Sequence, residues 1–207
     1  TVAYTFSKSL DQASSLADPV NPFNFRATRA LSAWDLRHNI VATYEYRLPM
    51  GLAISGITRV SSGFPVTISA DGDRSLMGSL PNGVNNRSLD LPNFTPGPLR
   101  LNHDPRNGRA YFDTSLFSPN ALGTPGTASR RSFSGPGMVN FDLALKRSFR
   151  LPENRVLEFR LESFNALNHA QFFGPVAVNG DIDSNLFGQV VRAAPPRLTQ
   201  LALKLTF

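Results

Sequence analysis

The chain has 207 residues, 41% of them hydrophobic, a formal net charge of +6 and no cysteine. That is enough chain for one domain with a substantial core, and the lack of cysteine excludes disulfides, thiolate zinc sites and thiol catalysis. No apolar run approaches the roughly 18 residues of a membrane helix, but strands remain possible, because a transmembrane strand needs about 9–11 residues of which every second is apolar.

Of the 21 basic residues only Lys8, Lys146 and Lys204 are lysines, so arginine dominates. The arginines are scattered along loops and alternate strand positions, with no basic helix or aromatic RNA-binding signature, so no nucleic-acid partner is expected. The opening Thr1-Val2-Ala3-Tyr4-Thr5-Phe6 has no initiator Met, basic n-region or apolar h-region and reads as the middle of a strand, as if cut from a longer parent.

Taken in order, Val2, Tyr4 and Phe6 alternate with Ala3, Thr5 and Ser7, which predicts a first strand ending near Ser9. A polar loop with Asp18-Pro19 and Asn21-Pro22 covers about 10–33. The second strand, about Asp35 to Leu48, sets Ile40, Ala42, Tyr44, Tyr46 and Leu48 against Arg37, Asn39, Val41, Thr43, Glu45 and Arg47. After a tight turn at Pro49-Met50-Gly51, Leu52 to about Ser62 forms a third, with Arg59 among its polar positions, and Val66 to Ser69 is a candidate extension beyond Pro65.

From about 70 to 137 the periodicity gives way to Gly, Pro, Asn and Ser, with a short hairpin or inward-folded strand expected around Ala110-Tyr111-Phe112-Asp113 and Thr114 to Phe117. Alternation returns at Val139 to Phe149, with Asn140, Asp142, Ala144, Lys146 and Ser148 on the polar side. Arg150 to Asn154 is short, and Leu157, Phe159 and Leu161 then oppose Glu158, Arg160 and Glu162. A third long loop, about 168–195, precedes Pro196 to Phe207, where Leu201, Leu203, Leu205 and Phe207 face away from Gln200, Ala202, Lys204 and Thr206.

Connections that alternate long, short, long, short, long across six antiparallel strands fit a membrane barrel, with short periplasmic turns and long extracellular loops; a soluble sandwich has no reason to sort its loops so. The fold class expected is therefore all-β, an antiparallel transmembrane β-barrel segment of about six long strands. Glu45, Arg47, Arg59, Asp142, Lys146, Glu158, Arg160, Glu162 and Lys204 are expected to face the lumen, because a charge facing lipid at mid-bilayer costs about 2–4 kcal/mol. Six strands are fewer than the roughly eight of the smallest known single-chain barrels, so the segment reads as the last arc of a larger one. Alone it should aggregate or need detergent, because it would have two open edges and a broad apolar face.

No catalytic constellation emerges. His38, His103 and His169 lie in different contexts without an acid at metal or triad spacing. Glu158 and Glu162 share a strand face with Arg160 between them, which reads as a charge ladder rather than acid/base chemistry. Asn179, Asp181, Asp183 and Asn185 have calcium-like spacing but lack the Gly and distal Glu of an EF-hand, so a solvated loop is expected, with no metal and no cofactor. Arg100, Arg106, Arg109, Arg130 and Arg131, with Tyr111, are candidate contacts for an anionic ligand or lipopolysaccharide phosphates, or else unspecific loop charge.

Ala3-Tyr4-Thr5-Phe6-Ser7-Lys8-Ser9, Arg29-Ala30-Leu31-Ser32 to Asp35-Leu36-Arg37-His38, Phe159 to His169 and the terminal Leu201 to Phe207 together resemble the C-terminal barrel region of Oar-like TonB-dependent outer-membrane receptors. The resemblance covers nearly the whole chain outside the loop from 70 to 137. It implies a 22-stranded barrel in the cell outer membrane around a plug, with import of a scarce small ligand driven through TonB by the inner-membrane proton gradient. The partners implied are outer-membrane lipid, the remaining barrel and plug of the same parent, TonB and the barrel-assembly machinery. Leu201, Leu203, Leu205 and Phe207 match the terminal signal which that machinery reads. Plug, TonB-contacting segment and signal peptide lie outside this sequence. The alternatives are a surface adhesion or structural protein, or a passive porin-like channel.

Overall fold

A computed structural model describes residues 1–15, 18–77 and 89–207. Parts of the first two expected loops, 16–17 and 78–88, lie outside the described residues.

Six strands form one antiparallel sheet in strict sequence order: β1 (Val2–Phe6), β2 (His38–Leu48), β3 (Leu52–Ser61), β4 (Met138–Arg150), β5 (Val156–Phe164) and β6 (Leu198–Thr206). β1 and β6 each pair on one side only, so the sheet stays open. The two-residue period is what folds: β-branched, aromatic and leucine side chains fill one face, and the backbone is satisfied by neighbouring strands. The expected extension at Val66 to Ser69 is not part of this sheet, and no hairpin forms at 110–117. There the Asp113 carboxylate caps a 3₁₀ turn at Thr114–Leu116, and Phe117–Ser118 pairs with Asn93–Phe94.

Both short turns use consecutive left-handed residues, Met50 (φ 62°) with Gly51 (φ 73°) and Glu153 (φ 61°) with Asn154 (φ 58°), whose hand suits the twist of the flanking strands. Gly51 is required twice over, because a Cβ there would also lie 2.5 Å from the Ser148 carbonyl oxygen. Since the sheet is antiparallel, these two turns share one end and the three long connections share the other.

Register sorts the faces. Pairs such as Tyr4↔Ile40, Tyr46↔Ile54, Leu145↔Ile54, Leu145↔Leu161 and Leu161↔Leu201 lie on one face, and Glu45↔Ser55, Lys146↔Arg160 and Glu162↔Gln200 on the other. Tyr44 lies over its cross-strand partner Gly56, where a Cβ would come within 2.6 Å of the tyrosine hydroxyl. The apolar face is uncovered: Leu201, Leu203 and Phe207 are 68%, 69% and 86% exposed.

The buried core lies elsewhere, in the long connections. Val66, Ile68, Tyr111, Phe112, Phe133 and Val178 pack together, with Leu99, Leu101, Phe117, Ile182, Phe187 and Val190 against them. Phe112 is the hub, its ring 5.0 Å from Phe133, 5.3 Å from Phe187 and 5.6 Å from Phe117. The second and third connections thus form a packed layer at the loop end of the sheet. Its Gly- and Pro-rich sequence carries no period because its backbone is bonded at long range, as in Val66 N–H to Phe133 O (3.0 Å), Ser69 N–H to Gly180 O (3.0 Å) and Tyr111 N–H to Gly188 O (2.7 Å).

Candidate functional site

The charged face of the sheet comes first, because the strand period dictates it. Glu45, Arg47, Arg59, Asp142, Lys146, Glu158, Arg160, Glu162 and Lys204 all fall on the same face by register. They form a ladder: Arg160 donates to Glu158 at 2.7 Å and approaches Glu162 at 3.5 Å, Lys146 reaches Glu158 at 3.6 Å, and Arg47 pairs with Glu45 at 3.0 Å. A recess of about 210 Å³ is floored by Ala53, Ser55 and Ala144 and walled by Glu45, Lys146, Arg160 and Glu162. Small residues between opposed charges leave room for water beside the wall, an arrangement suited to a polar conduit. Asp142 closes the ladder at the loop end, accepting from Asn140 and from the backbone N–H of Asn165, both at 2.9 Å.

The opposite face carries a single charge within its strands, and not at mid-strand. Arg147 belongs to it, paired with Leu52 and Phe159, and lies close to the short-turn end.

The loop layer holds the second part of the site, and it divides the expected arginine cluster. Arg130 and Arg131 are corrected from ligand contacts to structural cations, with side chains 0% and 3% exposed. Arg130 donates to Asp11 and Asp18, and Arg131 reaches Asp18 at 2.6 and 3.1 Å, Thr67 at 2.8 Å and Ser14 at 3.2 Å. These four charges tie the first long connection to the second. Burial alone would push the Asp18 carboxyl up, but hydrogen bonds from Arg131 and Ser14 and the charges of both arginines outweigh it and hold it below the usual carboxylate range. Asp11 is held low in the same way, by Ser14 and Arg130 against its own burial. Tyr111 is corrected too. It is buried, its hydroxyl donates to Ser134 O at 3.2 Å, and burial pushes that hydroxyl up to about 12.

Arg100, Arg106 and Arg109 remain exposed. Arg106 bonds Asp104 at 2.8 Å, and that hydrogen bond holds the Asp104 carboxyl low and the Arg106 guanidinium high. Both line a cleft of about 450 Å³ between the layer and the loop ends of β3 and β4, together with His103, His169 and Phe172. Two histidines from connections 66 residues apart meet here, and no sequence spacing announces it. His169 is positioned by Asn165 and lies beside Gln171, whose carboxamide bonds both the N–H and the carbonyl of Val139 as a neighbouring strand would.

Asn179 and Asp181 are half-buried and Asp183 and Asn185 exposed, and the segment is internally hydrogen-bonded. Asn179 accepts from the Asp181 N–H, Asp181 from the Asp183 N–H, both at 3.0 Å, and Asp183 from the Asp71 N–H at 2.7 Å. The every-second spacing thus reflects successive Asx turns that dock the third connection on the second. Among the described residues no group of three or more His, Asp or Glu side chains is placed to hold a metal ion.

A family model described as an outer membrane beta barrel domain matches residues 1–200. No curated protein and no solved structure matches the chain.

Proposed function

The chain belongs to the outer membrane beta barrel domain family and resides in the outer membrane, and from that premise we propose that it forms part of the wall and the surface loops of a TonB-dependent receptor that imports a scarce small ligand. One observation carries the reading. The long connections fold into a layer with its own aromatic core and a buried four-charge lock, and a 450 Å³ cleft lies beneath it. A passive pore needs an unobstructed mouth, whereas a receptor needs a fixed surface that holds ligand above a polar conduit. Arg106, Asp104, His103 and His169 are the side chains that would meet ligand in the cleft, and the Glu158–Arg160–Glu162 ladder lines the route below. The two open sheet edges support a larger barrel, with the rest of the parent pairing to β1 and β6.

The test needs no knowledge of the ligand. The full-length parent in a planar lipid bilayer should show no steady conductance and should retain the periplasmic domain of TonB on an affinity resin. An ohmic open channel would replace the reading with a porin, and a closed barrel without TonB binding would replace it with a surface adhesion protein.

A further inference from the structure

We propose that the apolar face carries a binding site for an anionic phospholipid at its short-turn end, built on Arg147, with Arg155 as a second charge in the turn beyond it. In an outer membrane barrel this end is periplasmic, so the leaflet it meets is the phospholipid one. Among all positions of the six strands that share the apolar face, Arg147 is the only Asp, Glu, Lys or Arg, and it has no carboxylate partner among the described residues. Its guanidinium lies 4.7 Å over the ring of Phe149, the next residue on that face toward the turn, so its charge is directed at the headgroup level rather than the bilayer centre. Arg155, in the turn just before β5, lies 5.9 Å over the Phe207 ring and shares its charge with Glu153.

The occupant follows from charge and shape. The Arg147 guanidinium over the Phe149 ring presents forked donors suited to a phosphodiester, and the row Leu145, Leu161 and Leu201, one step from Arg147 toward the bilayer centre, suits acyl chains. A net-negative headgroup satisfies Arg147, which no carboxylate among the described residues neutralises, whereas a zwitterionic headgroup brings its own cation to compete. Phosphatidylglycerol therefore fits better than phosphatidylcholine.

The experiment uses the full-length protein in vesicles of phosphatidylcholine doped with spin-labelled phosphatidylglycerol or spin-labelled phosphatidylcholine, and reads the motionally restricted fraction of each. The wild type should favour phosphatidylglycerol by roughly fivefold, what one arginine at a membrane surface supplies, and 1 M salt should remove most of that. Arg147→Leu, a side chain that suits lipid and so preserves folding, should abolish the preference. Arg147→Lys should keep part of it, and Arg155→Gln should lose less because Glu153 already offsets that charge. Equal restriction of both lipids by the wild type, or an undiminished preference in Arg147→Leu, would overturn the proposal.

Discussion

Replacing Asp18 by Ala should melt the loop layer while leaving the strands intact. The carboxylate is 5% exposed and serves two guanidiniums that are themselves 0% and 3% exposed. Without it Arg130 keeps Asp11, but Arg131 is left with the neutral hydroxyls of Ser14 and Thr67. Stripping one partner from a buried pair leaves an uncompensated charge and costs about 3–5 kcal/mol. At about 1.4 kcal/mol per tenfold, opening of the layer should become easier by roughly two to three and a half orders of magnitude. Hydrogen exchange of the full-length protein in detergent reads this at the amides of Val66 and Ile68, bonded across the layer to Phe133 O (3.0 Å) and Arg130 O (3.1 Å). Their exchange should accelerate by that factor, less so in Asp18→Asn, while amides of β4 and β5 stay protected. Unchanged exchange at Val66 and Ile68, or equal acceleration throughout the sheet, would refute the reasoning.

The same lock sets a pH dependence. Both Asp11 and Asp18 are held below their ordinary value of 3.8, so their contribution is complete above it and is lost as pH falls through the lowered range; protection at Val66 should be flat from neutrality to about pH 5 and drop only in stronger acid. Tyr111 acts with the opposite sign. Its hydroxyl is raised from 10.0 to about 12, so stability is full below 10 and is lost as pH rises through 12, a loss that Tyr111→Phe should remove at the expense of about 1 kcal/mol for the bond to Ser134. Phe112→Ala, at the centre of the aromatic core and 2% exposed, should destabilise the layer by about 3–5 kcal/mol, seen as new protease cleavage in the second connection. Leu143→Arg, in the middle of β4 on the apolar face, should cost about 2–4 kcal/mol in a refolding titration in lipid vesicles, whereas Lys204→Leu should be tolerated.

The wall was legible in the sequence because a strand writes its environment every second residue. The Val2-Tyr4-Phe6, Ile40 to Leu48 and Leu201 to Phe207 series carry the face assignment, and the two short turns carry the pairing order. Boundaries shifted where a polar end residue left the ladder, as at Asp35, which is buried and accepts from the Ser9 N–H at 2.7 Å instead of continuing β2. The layer was not legible. Its pairings are non-local, Arg130 with Asp11 across 119 positions and Asp71 with Asp183 across 112, and extended segments held by such bonds show neither helical nor strand period. Arg130 and Arg131 looked like ligand contacts because charge count carries no information on burial. Arg147 is not legible from sequence, because one charge in an otherwise apolar series has no meaning until register places it near the turn.

The central claim is that this sheet stands in the outer membrane with Leu201, Leu203 and Leu205 toward lipid and Gln200, Ala202 and Lys204 toward a wet interior. These 207 residues hold no cysteine, so each of the six positions takes a single cysteine spin label in the full-length protein, freed of any cysteine elsewhere, in lipid bilayers. Collision with oxygen, which partitions into lipid, is compared with collision with a water-soluble nickel chelate. Oxygen contact should peak at 201, 203 and 205 and nickel contact at 200, 202 and 204, alternating with a period of two. Uniform nickel contact at all six, or alternation in the reverse phase, would contradict the account.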